Sequence, residues 1–221
     1  PELAAMLGTA APNARGSIVT VLARLGGDEA RDALAAAARA GGVDQGVALE
    51  NLANMPGGRD EARRIAMGLA KGGGQNASTA LAVLAQDASP EAREALVSVA
   101  RGGGENASSA MSQLAQRGDP DAMRSLSDLA RTAKTPELRG DAINALASTS
   151  DPKATPLLLS ATLDKDPAVR NAALRGLART GGEAAERALV AATGDSSRET
   201  RAVAIRALGA LHTDSASRTL E

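Results

Sequence analysis

The sequence predicts an all-α solenoid of about seven stacked helical hairpins, on three observations. A leucine recurs at positions 22, 52, 84, 114, 146, 177 and 208, at intervals of 30, 32, 30, 32, 31 and 31 residues. Each of these leucines closes the same short pattern of a small or aliphatic residue, an aliphatic residue, two variable residues, Leu and a small residue, seen first at Ile18–Ala23 and last at Ala204–Gly209. No segment alternates apolar and polar residues with the period of a strand. A fixed period of roughly 20 to 50 residues marks a repeat array, in which one hairpin is too thin to bury its own apolar stripe and must share it with its neighbours.

Composition agrees. The 221 residues include no Phe, Tyr or Trp, where an average chain of this length carries roughly eighteen. Ala, Leu, Val, Ile and five Met therefore build the interior, which suits thin helix-on-helix layers. With 25 Lys and Arg against 26 Asp and Glu there is no bulk basic field to gather nucleic acid or acidic membrane. The absence of Cys excludes disulfides, thiolate metal sites and a Cys nucleophile, and leaves the compartment open. No apolar run is long enough to span a membrane.

In chain order, Pro1–Leu7 reads as a helix that ends a preceding repeat (1–11). Repeats follow at 12–42, 43–74, 75–104, 105–134, 135–165, 166–196 and, in part, 197–221, together one solenoid domain over 1–221. The start without Met and the final Leu220-Glu221 suggest a piece of a longer chain. Within each repeat the leucine pattern forms a first helix, and a second follows after a polar loop. Ser89-Pro90-Glu91, Asp119-Pro120-Asp121 and Asp151-Pro152 place a capping side chain before a proline at the first helical position, where its missing N–H is not needed. Behind the caps, Ala30, Ala33, Leu34, Ala37 and Ala38, and likewise Ala92, Ala95, Leu96, Val99 and Ala100, fall at the spacing of one helix face. Gly41-Gly42, Gly72–Gly74 and Gly102–Gly104 read as helix stops. Pro156 lies five residues into the expected second helix of repeat five, so that helix is expected to start near Thr155.

The run Asp166-Pro167-Ala168-Val169-Arg170-Asn171-Ala172-Ala173-Leu174-Arg175-Gly176-Leu177 resembles the first helix of a HEAT repeat, of the short bacterial type related to the phycobilin lyases. Leu138-Arg139 and Thr200-Arg201 match its Val-Arg pair; Asn76-Ala77-Ser78 and Asn106-Ala107-Ser108 stand there instead in earlier repeats. The resemblance covers the whole chain and is strongest over 135–211. It implies a right-handed α-α superhelix of HEAT/armadillo-like type, working as a binding or scaffolding surface, and implies no chemistry of its own.

Residues for catalysis are scarce. The one His, His212, has no Cys to join it, so no metal site is expected, and helical-repeat hydroxylases with paired His-Glu motifs are excluded by the same count. Ser and Thr have no positioned base, and most carboxylates sit at helix starts as caps. The glycine runs after Lys71 and Arg101 follow helices rather than strands and lack the Gly-Lys-Ser/Thr ending of a phosphate loop. Asn76-Ala77-Ser78 and Asn106-Ala107-Ser108 match the glycosylation tripeptide, which is common by chance.

One pattern points to binding. Arg31, Arg63, Arg93 and Arg124 recur in the first halves of successive second helices, with Arg64 beside them. In HEAT-like solenoids second helices line the concave face, so the resemblance implies a ladder of arginines there. The plainer expectation is that each pairs with acids nearby, such as Asp28, Asp60, Glu94 or Asp119. A second set, Arg39, Lys71, Arg101 and Arg131, closes the same helices, where cations suit the helix dipole. The leading expectation is a non-enzymatic protein-interaction module without cofactor, binding a partner segment through Arg31, Arg63, Arg64, Arg93 and Arg124. Nucleic-acid backbone binding is the alternative, disfavoured by balanced charge and missing stacking aromatics. A phycobilin-lyase-like enzyme ranks third.

Overall fold

All seven periodic leucines are buried in the computed structural model of the chain, none more than 4% exposed. The structure describes residues 2–42, 44–72, 75–149 and 151–211. Among these are fourteen α-helices, one 3-10 turn and no strand. They fall into two units, Pro1–Gln113 and Leu114–Glu221.

In the first unit, α1 (Glu2–Thr9) packs on α2 (Pro12–Leu25) and α3 (Asp28–Ala40). Two hairpins follow, α4 (Gln45–Asn54) with α5 (Arg59–Leu69) and α6 (Gln75–Gln86) with α7 (Pro90–Gly102). First helices stack on first helices, α2 on α4 on α6, and second on second, α3 on α5 on α7. The leucines lie between the two layers with the fully buried Leu34, Leu49, Leu81 and Leu96. The unit boundary falls within α8 (Ala107–Arg117).

The second unit repeats the scheme. Its second-helix layer is α9 (Pro120–Thr132), α11 (Thr155–Ala161) and α13 (Glu183–Ala192). Its first-helix layer is α10 (Pro136–Ser148), α12 (Pro167–Thr180) and α14 (Arg198–Leu211). Gly176 marks a close approach of helices: a Cβ there would stand 2.8 Å from the Ala147 Cβ of α10 and 3.1 Å from a methyl of Leu158 in α11. Small residues at such crossings let helices sit near the short end of the usual spacing, and this takes the place of aromatic bulk.

Local signals act largely as the sequence predicts. Ser89 accepts from the N–H of Ala92 at 3.2 Å, and Asp119 accepts from those of Asp121 and Ala122 at 3.1 and 2.9 Å. Asp151 instead caps a 3-10 turn, Pro152–Ala154, accepting from the N–H of Lys153 at 2.9 Å, and the α-helix restarts at Thr155 as Pro156 requires. Gly41 and Gly103 end α3 and α7 at φ 82° and 74°, a region that side chains disfavour. Gly73 and Gly74, like His212 and Leu220-Glu221, lie outside the described residues. All five expected core positions of α7 are buried. In α3, by contrast, Ala35 is buried while Ala33 and Ala37 are only half-buried. These two line a shallow cleft of about 280 Å³ beside Leu7 and Gly8.

Candidate partner-binding face

Buried alanines set the register of the second helices. Ala30, Ala62, Ala92 and Ala122 are each at most 4% exposed, near the starts of α3, α5, α7 and α9. Arg31, Arg63 and Arg93 follow their alanine by one position, whereas Arg64 and Arg124 follow by two. The first row is held by partners within the chain. Arg31 pairs with Asp28 at 2.9 Å and lies 3.6 Å from Asp32. Arg63 pairs with Asp60 at 2.8 Å and, across the hairpin stack, with Asp87 at 3.1 Å. Arg93 is not free either. Burial pushes the Asp87 carboxyl up, but hydrogen bonds from Ser89 and from Arg63 prevail and hold it below the usual carboxylate range. Burial likewise opposes the Arg63 charge, and the bond to Asp87 overrides it, raising that guanidinium.

The second row differs. Arg64 and Arg124 are 72% and 76% exposed in their side chains and pair with Glu61 and Asp121 of their own helices. Glu61 is shared: Arg39, at the end of α3, reaches its other oxygen. Arg39, Glu61 and Arg64 thus rim a shallow cleft of about 570 Å³ floored by Ala38, Ile65 and Leu69. Arg39, Lys71 and Arg101 each follow by one place a fully buried alanine, Ala38, Ala70 and Ala100. In the second unit Arg131 follows Ala130 in the same way and pairs with Asp128 at 2.8 Å. Lys71 and Arg101 are exposed and make no ion pair among the described residues.

Sequence reasoning missed the side chains that tie one hairpin to the next. Seven residues ahead of the periodic leucine, Arg15, Gln45, Arg139, Arg170 and Arg201 donate to carbonyls that end the preceding helix or its loop. The acceptors are Ala10 at 3.0 Å, Ala38 at 2.8 Å, Ala133 at 3.3 Å, Asp164 at 2.9 Å and Asp195 at 2.7 Å. Arg139 and Arg170 also reach forward, each as a two-pronged fork. Arg139 holds Asp164 at 3.0 Å through both prongs, and Arg170 holds Asp195 at 2.9 and 2.8 Å. Hydrogen bonding from Arg170 outweighs burial and lowers the Asp195 carboxyl; for Asp164 burial is the larger single influence, and the bonds from Arg139 and the Asp166 N–H together reverse it. The Val-Arg pair was the available signal, but its partners lie 25 residues away.

In the first unit amides share this work with Arg15. Asn76 donates to Gln45 Oε1 at 2.6 Å, and Asn106 donates to the Ala70 carbonyl at 3.3 Å and to that of Gly72. Both side-chain amides reach across to the preceding repeat, so the two tripeptides serve as structural ties. Among the described residues no group of three His, Cys, Asp or Glu is placed to hold a metal, and no helix is long and apolar enough to cross a membrane.

These features define a protein of stacked helical hairpins bound by inter-repeat clamps. The family of HEAT repeats matches residues 104–167 and 157–221, more than half of the chain, including the stretch of strongest resemblance. The chain belongs to this family. Among solved structures, human deoxyhypusine hydroxylase in complex with glycerol is similar at 16% identity, over 95% of this chain and 94% of that one, with a TM-score of 0.44. A designed armadillo repeat protein is similar at 19% identity over 96% and 99%, with a TM-score of 0.40. An engineered protein is similar at 20% identity over 95% of each chain, with a TM-score of 0.39. No curated protein matches the chain.

Proposed function

We propose that this chain is a non-enzymatic protein-interaction module that binds a partner segment along the face of its second helices. The observation that carries this reading is the recurrence of cations at fixed register on successive rigid helices, beside shallow rather than enclosed clefts. Helices held in place by buried alanines present such side chains at little ordering cost, which is how repeat arrays build extended binding surfaces. Of these arginines, Arg31, Arg63 and Arg93 fix the surface through internal interactions, while the exposed Arg64 of the first unit and Arg124 of the second are each offered to a partner.

Panning a library of random dodecapeptides on the 221-residue chain tests this, with an Arg64→Glu/Arg124→Glu variant run in parallel. Enrichment of acidic peptides, lost on the variant, is expected. No enriched sequence class on either protein overturns the module reading, and enrichment indifferent to the variant overturns the role of these two arginines.

A further inference from the structure

We propose that the rim formed by the carboxyl-terminal ends of α3, α5 and α7 binds an acidic peptide in polyproline II form, with one acid per repeat set against Arg39, Lys71 and Arg101. The proposal rests on the protein-interaction reading and moves its centre from the arginines near the helix starts to the cations that close the same helices. Three observations support it. The three cations share one register, each next to a fully buried alanine, on helices stacked in one unit. Lys71 and Arg101 have no ion pair among the described residues, and Glu105, which lines a cleft with Lys71, does not pair with it. Arg39 and Arg64 share the single carboxylate of Glu61, so that end of the rim keeps one positive charge in excess.

Geometry selects the form of the ligand. Stacked helices stand about 8–10 Å apart, so the row offers one cation at about that interval. A polyproline II helix advances about 9.3 Å in three residues and returns the same face at each third residue. A strand places residues three apart on opposite faces, so it does not present an acid at every cation. Peptide is favoured over nucleic acid because no aromatic side chain exists to stack a base. The apolar floor of Ala38, Ile65 and Leu69 beside Arg39 takes the non-acidic residues of the same segment.

The test is fluorescence anisotropy with labelled (Glu-Pro-Pro)₄, (Glu-Pro)₆ and (Lys-Pro-Pro)₄, and with a twelve-nucleotide oligo-dT, on the full chain and on Lys71→Glu/Arg101→Glu. Both substitutions are on exposed side chains, and circular dichroism verifies that the variant is folded. The expected result is binding of (Glu-Pro-Pro)₄ in preference to the other probes, weakened about tenfold or more in the variant and by added salt. Equal binding of (Glu-Pro)₆ overturns the assignment of one acid per repeat. Tighter binding of oligo-dT, lost in the variant, overturns the peptide assignment in favour of phosphate. If (Glu-Pro-Pro)₄ does not bind while panned peptides bind both proteins equally, the rim fails and the module stands; if neither binds, both fail.

Discussion

Replacing Asp164 by Asn tests the forked clamp with almost no change of shape. Arg139 donates to both carboxylate oxygens at 3.0 Å, and the two side chains are 8% and 17% exposed, so the pair is largely removed from water. Asparagine keeps an oxygen for the Asp166 N–H, which Asp164 now receives at 2.8 Å, but turns an amide NH₂ toward one prong of the guanidinium. Breaking a buried pair by removing one partner costs about 3–5 kcal/mol. With Asp164 retaining some water, we expect about 2–4 kcal/mol, or a fall of about 5–12 °C in melting temperature for a chain of this size. Far-ultraviolet circular dichroism with thermal and urea unfolding measures it. The pH dependence has a definite sign. Because the folded carboxyl titrates below its unfolded value, its contribution is complete above the ordinary aspartate range and is lost as pH falls through the lower folded value. The gap between the native chain and Asp164→Asn is therefore constant from neutrality to about pH 5 and closes below about pH 4. A variant melting within about 2 °C of the native chain at pH 7, or a gap that widens in acid, refutes the clamp.

Three further substitutions probe the backbone approaches and the amide tie. A Cβ at Gly58 would stand 2.1 Å from the Leu52 carbonyl oxygen, so Gly58→Ala must displace the turn before α5 and is expected to cost about 2–3 kcal/mol by urea unfolding. At Gly176 alanine gains about 1 kcal/mol in helix propensity but meets Ala147 and Leu158, so a net loss of about 1 kcal/mol is expected in the same assay. Gln45→Ala removes the donor to Ala38 and the acceptor for Asn76, and is expected to cost about 1–2 kcal/mol, with faster amide exchange at the end of α3 and the start of α6.

The repeat was legible because every layer needs the same buried leucine, and the restart at Thr155 because a proline ring has no N–H to give. The inner face of α3 was not legible. Its sequence Asp-Ala-Leu-Ala-Ala-Ala-Ala-Arg has alanine on every side, so no size contrast tells the buried Ala35 from the half-buried Ala33 and Ala37. Ion pairs one turn apart, such as Arg31 with Asp28 and Arg63 with Asp60, follow from helical spacing. Arg63 with Asp87, 24 residues apart, requires the stacking geometry itself.

The exchange of amides for arginines as clamps explains why the open cations lie where they do. Asp164 and Asp195 stand two places before the residue that precedes α12 and α14, and the helices one repeat earlier carry Arg139 and Arg170 to meet them. At the same place before α6 and α8 stand Gly72 and Gly104, and the helices one repeat earlier carry Gln45 and Asn76. An arginine reaching forward to a glycine would be left half-desolvated without a partner, which is costlier than no charge at all. An amide avoids this, since Gln45 donates to Ala38 while accepting from Asn76, and so links repeats without charge. The junctions before α6 and α8 are therefore tied by neutral groups, and Lys71 and Arg101 beside them make no ion pair among the described residues. The use of amides in place of ion pairs at these junctions leaves the rim's cations uncompensated, and so connects the way these repeats are tied to the acidic peptide proposed for them.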